Sequence, residues 1–149
     1  VLECEAARDD DQLRKYLYHM HMVQRAFLRL WRGEPRSDPY PTFDDAQGLM
    51  AWGAAYYAEA REHLSGVADD RLVEAMSVPW AAMVEKRIGR PPSPTSMAET
   101  ALQVTMHTQY HRGQVNARLR AVGGAPPLVD FIAWVWLGRP APEWPGATP

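Results

Sequence analysis

The stretch MHTQYHRGQV, residues 106–115, contains two histidines four positions apart. In a helix, residues at i and i+4 project from the same face, so the rings of His107 and His111 lie side by side. Two imidazoles placed in this way can bind one transition-metal ion at about 2.0–2.1 Å. The same spacing also occurs where two polar residues lie on a solvated helix face, and for a bare pair this is the commoner case.

The residues around this pair favour a polar site inside the protein. Gln103 and Glu99 precede the histidines at steps of four, which makes a continuous polar stripe with apolar residues beside it. Gly113 lies within the same helix, and a mid-helix glycine costs about 1 kcal/mol relative to alanine and needs a packing reason. We therefore expect a close helix neighbour beside the histidines. A stripe that faces water is the alternative.

A third ligand has to come from another helix, because two ligands alone hold a metal ion weakly. The segment YHMHM offers His19 and His21. A helical wheel at about 100° per residue places His19 roughly 80°, and His21 roughly 120°, from the centre of the apolar arc. His19 is therefore the predicted ligand, and His21 is expected to meet solvent or a neighbouring chain. His63, near the end of the next helix, is expected to be structural or exposed.

Proline marks where helices can lie, because it lacks a backbone donor and clashes inside a helix. Three windows are free of proline: 1–34, 42–78 and 95–125. Capping residues predict where the helices begin and end. The first helix is expected to begin at Asp9–Asp11 and to end at Gly33, and the second to begin at Thr42 and to end at Gly66. The third is expected to begin at Thr95 or Ser96, with Glu99 completing the cap, and to end at Gly123–Gly124. In the first helix the apolar residues at helical spacing are Leu13, Leu17, Met20, Phe27 and Trp31.

The fold class predicted from this pattern is all-α, a helical bundle in a single domain over residues 1–149. Residues 70–94 are expected to form a long crossover with two short extended pieces. Residues 128–137 should form a shorter last helix, and the proline-rich tail 138–149 should run extended over the surface. The opening VLECEAARDD looks like the last turns of a helix without its start, which predicts a further long helix before Val1.

Composition and charge exclude several classes of function. The chain is 46% apolar and 23% charged, which is typical of a globular protein, and its formal charge of −2 gives no reason to expect nucleic acid or an anionic membrane as partner. The apolar runs are shorter than the ~20 residues of a spanning helix. No signal peptide is recognisable, and Cys4 is the single cysteine. These features predict a cytoplasmic protein.

Two motifs together resemble the DinB/YfiT-like family of metalloenzymes. One is HxxxHRGQ followed by LRxxGG, and the other is an upstream histidine in KYLYHMHMVQRAFLRLWRGE. The resemblance covers most of residues 1–137, and the upstream histidine of the pattern is His19, in agreement with the helical wheel. The matching residues of the first motif are His107, His111, Arg112, Gly113, Gln114, Leu119, Arg120, Gly123 and Gly124.

The resemblance implies an up-down-down-up four-helix bundle and a divalent metal ion held by three histidines. It also implies a homodimer and a chemistry in which the metal activates the sulfur of a low-molecular-weight thiol. Imidazole ligands suit several metals, and we expect zinc first and nickel second.

Other residues could support such a site. Gln103 could orient the free ring nitrogen of His107 or be solvated, and Gln114 could turn toward the site or bond across helices. Arg112 could bind a substrate carboxylate, although a structural ion pair is the favoured interpretation. Tyr18 and Tyr110 could donate protons or could be packing residues. Three tryptophans near the C-terminal end could roof a pocket, form a dimer seam or pack the last helix: Trp134, Trp136 and Trp144.

Three functional hypotheses follow. The first is a metal-dependent enzyme that acts on a small molecule, either as a thiol-dependent S-transferase or as a hydrolase. The second is a metal- or ligand-binding bundle without turnover, and the third is a purely structural or dimerising bundle without metal. No general acid or base stands out in the sequence, so the sequence does not separate the enzyme from the binding protein without turnover.

Overall fold

The computed structural model describes residues 4–35 and 40–143, except for the side chain of Ala6. This part of the chain is mostly helical, as expected for the all-α class, and none of its helices is long and apolar enough to cross a lipid bilayer. The elements in chain order are α1 (Glu5–Arg8), α2 (Asp11–Arg32), α3 (Ala46–Ser65), α4 (Asp69–Leu72), β1 (Ala75–Met76), α5 (Ala82–Ile88), β2 (Thr95–Ser96), α6 (Met97–Ala121) and α7 (Phe131–Trp136).

The ends of α2 and α6 confirm the predictions from capping residues. Asp10 caps α2 by accepting a hydrogen bond from the backbone N–H of Leu13, and Gly33 ends the helix in the left-handed conformation with φ 68°. Ser96 and Glu99 form the expected capping box at the start of α6.

The start of α3 corrects one of these predictions. The N-cap is Asp45, whose side chain accepts a hydrogen bond from the backbone N–H of Gly48 at 2.7 Å, and not Thr42. A carboxylate three residues before a free helical N–H makes this bond, and the helix therefore begins later in the proline-free window than its first residue suggests. Gly66 ends α3 as predicted.

The crossover between α3 and α6 holds two short extended pieces, of which Ala75–Met76 lies within the predicted residues 70–94 and Thr95–Ser96 lies just after them. They pair as antiparallel strands, with Ala75 opposite Ser96 and Met76 opposite Thr95. This pairing places the chain directly at the N-cap of α6. The short helices α4 and α5, which also lie in the crossover, were not predicted.

The last helix is shorter and more exposed than the sequence predicts. It spans six residues within 128–137, and none of them is buried. Trp136 is 77% exposed and Trp134 is 40% exposed, so these two tryptophans do not pack the last helix into the core, which was one of the three interpretations. Trp144 lies outside the described residues.

Helix α2 lies between α3 and α6. It is antiparallel to α6, because Leu13 packs in one cluster with Leu119 while Trp31, at the other end, donates to the hydroxyl of Thr100. It is parallel to α3, whose residues Trp52 and Glu59 contact successively later parts of α2. The fourth long helix and the complete up-down-down-up course stay predictions, since the described residues contain three long helices.

Candidate metal centre

The structure brings His19 of α2 together with His107 and His111 of α6. The Nε2 atom of His107 lies 3.3 Å from that of His19 and 3.1 Å from that of His111. Each of the three side chains offers one ring nitrogen, and these atoms all lie within 4.8 Å of one another. All three residues are half-buried.

Two apolar clusters hold the histidines in place, one on each side along the helices. Toward the start of α2, Leu13 packs with Val115 of α6. Toward the end of α2, Phe27 packs in a cluster with Val104 of α6. Because α2 and α6 pack against each other on both sides of the histidines, the three imidazoles are partly enclosed, whereas Gln103 and Glu99 of the polar stripe are exposed.

Burial makes His107 and His19 poor proton acceptors. Loss of solvation, together with the charges that His111 and His19 would carry, lowers the pKa of His107 to about 4. Loss of solvation also lowers the pKa of His19, and His111 adds to the effect. At neutral pH these two rings are therefore uncharged, and each keeps a nitrogen lone pair.

The donor set fits a transition-metal ion. Tetrahedral bonds of about 2.0–2.1 Å separate neighbouring ligand atoms by roughly 3.3 Å, close to the two Nε2 separations that involve His107. The tautomer of His111 agrees with such a role. Its Nδ1 lies 2.6 Å from Oε1 of Gln114, which can only accept, so the proton is on Nδ1 and the lone pair is on Nε2. Nδ1 of His107 is buried without a hydrogen-bond partner among the described residues.

The neighbours proposed from the sequence differ in position. Gln114 contacts His111, and its amide also donates to the hydroxyl of Tyr110 at 3.2 Å. Gln103 is exposed, and no hydrogen bond joins it to His107 in the described part of the chain. Arg112 donates to the backbone oxygen of Val129 at 3.3 Å, and no ion pair of Arg112 is found among the described residues. The arginine therefore ties α6 to the segment before α7.

Tyr18 lies on the side of α2 that faces α3, whereas the three histidines lie between α2 and α6. Its ring stacks on Trp52 at a centroid distance of 5.8 Å and packs edge-on against Phe43. These contacts favour the packing interpretation of Tyr18. Tyr110 instead contacts the ring of His111 at 5.1 Å and is 65% exposed.

His21 corrects a prediction, because it is buried and does not meet solvent. Only 6% of the residue is exposed, and its Nδ1 donates to Oε1 of Gln24 at 2.9 Å. The helical wheel treated α2 as a helix with one buried face, whereas α2 packs against α3 as well as α6. Sequence reasoning also missed Gln24, which is 1% exposed; a glutamine next to apolar positions gives no signal that separates a buried amide from a solvated one.

The close helix neighbour predicted beside Gly113 is found at a different glycine. A Cβ atom at Gly113 would meet nothing within 4 Å among the described residues, so no close helix neighbour explains this glycine. The close approach occurs at Gly53 of α3, where a Cβ would lie 2.6 Å from the Nε2 and Cε1 atoms of His21. Gly53 makes room for the buried imidazole.

His63 takes no part in the three-histidine group. It is half-buried and lines a groove of about 540 Å³ together with Trp31, Arg32 and Glu74, among other residues. Its Nε2 is buried without a partner among the described residues. That His63 is structural or exposed stays a prediction.

A helical protein with three converging imidazoles belongs to the class in which a metal ion can be held between helices. The comparison with protein families agrees with this class: the chain matches the DinB family over residues 2–142 and belongs to that family. No curated protein and no solved structure matches the chain.

Proposed function

We propose that this protein is a metal-dependent enzyme in which His19, His107 and His111 hold one divalent metal ion. Zinc is the first expectation and nickel the second, since neutral imidazoles suit both. The substrate is a small molecule, and the reaction is the transfer of a low-molecular-weight thiol to an electrophile or a hydrolysis. The convergence of three ring nitrogens from two helices is the observation that carries this proposal.

The histidines favour catalysis over a purely structural metal site. Three neutral ligands leave a divalent ion with its full charge and with an open position, as in catalytic zinc sites. When bound, such an ion supplies Lewis acidity, which lowers the pKa of a thiol or a water molecule that it binds. The chain supplies orientation: the amide of Gln114 fixes the His111 ring, and the half-buried histidines leave one side accessible.

A metal-binding protein without turnover is the second candidate. One observation favours it: within the described residues, the group that could hold a metal consists of histidines alone, and no general acid or base stands out in the sequence. Both candidates need the same metal site. They differ in whether a loaded protein turns over a substrate.

Elemental analysis of the purified wild-type protein and of His107→Ala tests the metal site. We expect about one equivalent of zinc or nickel per wild-type chain and almost none in the variant. The loaded protein is then incubated with a low-molecular-weight thiol and an alkylating electrophile, and loss of free thiol is followed against the His107→Ala control. Metal without turnover of thiols or hydrolysable esters would favour the binding protein, and a wild-type chain that takes up no metal after reloading would contradict both candidates.

We further propose that two copies of the chain pair. An exposed apolar row on α6 supports this: Leu102, Met106 and Tyr110 recur every four residues, and each is more than half exposed. Burial of such a row in a dimer removes apolar surface from water. Light scattering of the wild type and of Met106→Glu gives the test, with a dimer expected for the wild type and a monomer for the variant.

A further inference from the structure

Gln24 is a polar side chain with almost no access to water. It is 1% exposed, yet every polar atom of its amide has a partner. Oε1 accepts from Nδ1 of His21, and Nε2 donates to the hydroxyl of Tyr57 at 3.3 Å and to Oγ1 of Thr108 at 3.1 Å. The side-chain amide of Gln24 therefore forms hydrogen bonds with both α3 and α6, the two helices that pack against α2.

The bond to Thr108 lies next to the candidate metal centre. Thr108 follows His107 directly in α6, and Gln24 lies five residues after His19 in α2. Apolar contacts between helices are non-directional and tolerate small shifts along the helix axes. The hydrogen bond from the buried amide of Gln24 to the half-buried Thr108 fixes both distance and direction, because a shift of the helices would leave the buried amide unpaired.

We propose that Gln24 is a positioning residue of the metal centre: its bond to Thr108 sets α2 against α6 so that His19 meets His107 and His111. This role rests on the metal-dependent function proposed above. Burial of a glutamine is unfavourable unless its amide is hydrogen-bonded, and a single buried polar residue can fix the register of packed helices. A positioning role therefore explains why a glutamine is buried at this place.

A second side-chain hydrogen bond between the same two helices provides the matched control. The indole N–H of Trp31 donates to Oγ1 of Thr100 at 2.9 Å, and Thr100 is as deeply buried as Gln24. Thr100 precedes His107 by seven residues, which is about 10 Å along a helix. Loss of this bond should lower stability without moving the histidines relative to one another.

The experiment compares Gln24→Leu, Thr108→Val, Thr108→Ser and Thr100→Val with the wild type. Zinc affinity is measured by competition with a chromogenic chelator, and the melting temperature is measured on the metal-free proteins. We expect zinc affinity to fall about tenfold or more in Gln24→Leu and Thr108→Val, in line with the effect of residues that orient metal ligands. Thr108→Ser keeps the hydroxyl and should bind zinc as the wild type does.

The melting temperatures separate positioning from stability. Thr100→Val should melt below the wild type and yet keep its zinc affinity within about twofold. Unchanged affinity in Gln24→Leu and Thr108→Val, or an equal loss in Thr100→Val, would overturn the positioning role while leaving the metal site intact. A wild type that binds no zinc would instead overturn the proposed function and the positioning role with it. If Gln24→Leu does not fold, the comparison of Thr108→Val with Thr108→Ser decides.

Discussion

The Nε2 atoms of His19 and His107 lie 3.3 Å apart, although the two residues are separated by 88 positions in the chain. They meet because α2 and α6 are antiparallel and are packed together on both sides of the histidines. An unfolded chain does not hold these groups together. Metal binding at this place should therefore be coupled to folding. Loss of one ligand histidine should lower metal binding even where another histidine lies close to it in the sequence.

Replacement of single histidines should distinguish His19 from His21. We expect His19→Ala, His107→Ala and His111→Ala to lose most of the bound metal, because each removes one of three converging nitrogens. His21→Ala should keep its metal but lose stability, since it empties space beside Gly53. Elemental analysis and thermal melting of the four variants give the answer. Metal loss in His21→Ala with normal metal content in His19→Ala would contradict the ligand set.

Removal of the metal should lower the melting temperature of the wild type. A ligand that binds only the native state adds about 2.7 kcal/mol of stability at a concentration one hundred times its dissociation constant. For a chain of this size that corresponds to roughly 5–10 °C. Calorimetry before and after treatment with a chelator measures the shift, and His107→Ala serves as the control that should not respond. Equal melting temperatures with and without chelator would argue against a site formed in the native protein.

Gln114 and Gln103 should differ in their effect on metal affinity. Gln114 holds Nδ1 of His111 at 2.6 Å, whereas Gln103 is exposed. We expect Gln114→Ala to weaken metal binding by about 10–100-fold, as is usual for partners that orient a ligand. Gln103→Ala, one turn before His107, should bind metal normally. Zinc competition assays decide, and equal affinities of the two variants would show that the Gln114 contact does not matter.

The sequence predicts the helices and the meeting of three histidines better than it predicts what surrounds them. Proline-free windows and caps mark α2 and α6, and Leu13, Met20, Phe27 and Trp31 are buried as expected. The burial of His21 and Gln24 was not predictable from one helix, because it depends on the second neighbour that α2 gains from α3. Two short extended pieces were predicted in the crossover, but their pairing as antiparallel strands depends on the return of the chain to α6.

Two glycine replacements should have opposite effects on stability. Gly53→Ala places a methyl group 2.6 Å from the ring of His21, and overpacking of this kind costs about 1–3 kcal/mol. Gly113→Ala meets nothing within 4 Å among the described residues and should stabilise α6 by about 0.5–1 kcal/mol. Urea unfolding measures both. The double variant Gly53→Ala with His21→Ala should recover part of the loss, and a stabilising Gly53→Ala alone would show that the imidazole can move away.

Glu59 should make the stability of the α2–α3 pair depend on pH. Its carboxylate bonds to Arg25 at 2.6 Å and to Arg32 at 3.2 Å, and the hydrogen bond from Arg25 is the main reason why the pKa of Glu59 lies below its ordinary value of 4.5. A carboxyl group whose pKa is lower in the folded state than in the unfolded state stabilises the fold above the unfolded-state pKa. This contribution is lost as the pH falls through the folded-state pKa.

We therefore expect Glu59→Gln to be less stable than the wild type at pH 7 by about 1 kcal/mol, a modest value because the Glu59 side chain is 37% exposed. The difference should shrink as the pH falls below about 4.5, where the carboxyl group of the unfolded chain takes up a proton, and it should be lost as the pH falls through the lower pKa of the folded state. Urea unfolding at pH 7, 5 and 3.5 measures it, with the exposed Glu62→Gln on the same helix as control. A difference between wild type and Glu59→Gln that stays constant across this range would mean that the carboxylate charge contributes nothing, and that Arg25 and Arg32 hold α2 against α3 by hydrogen bonding and packing alone.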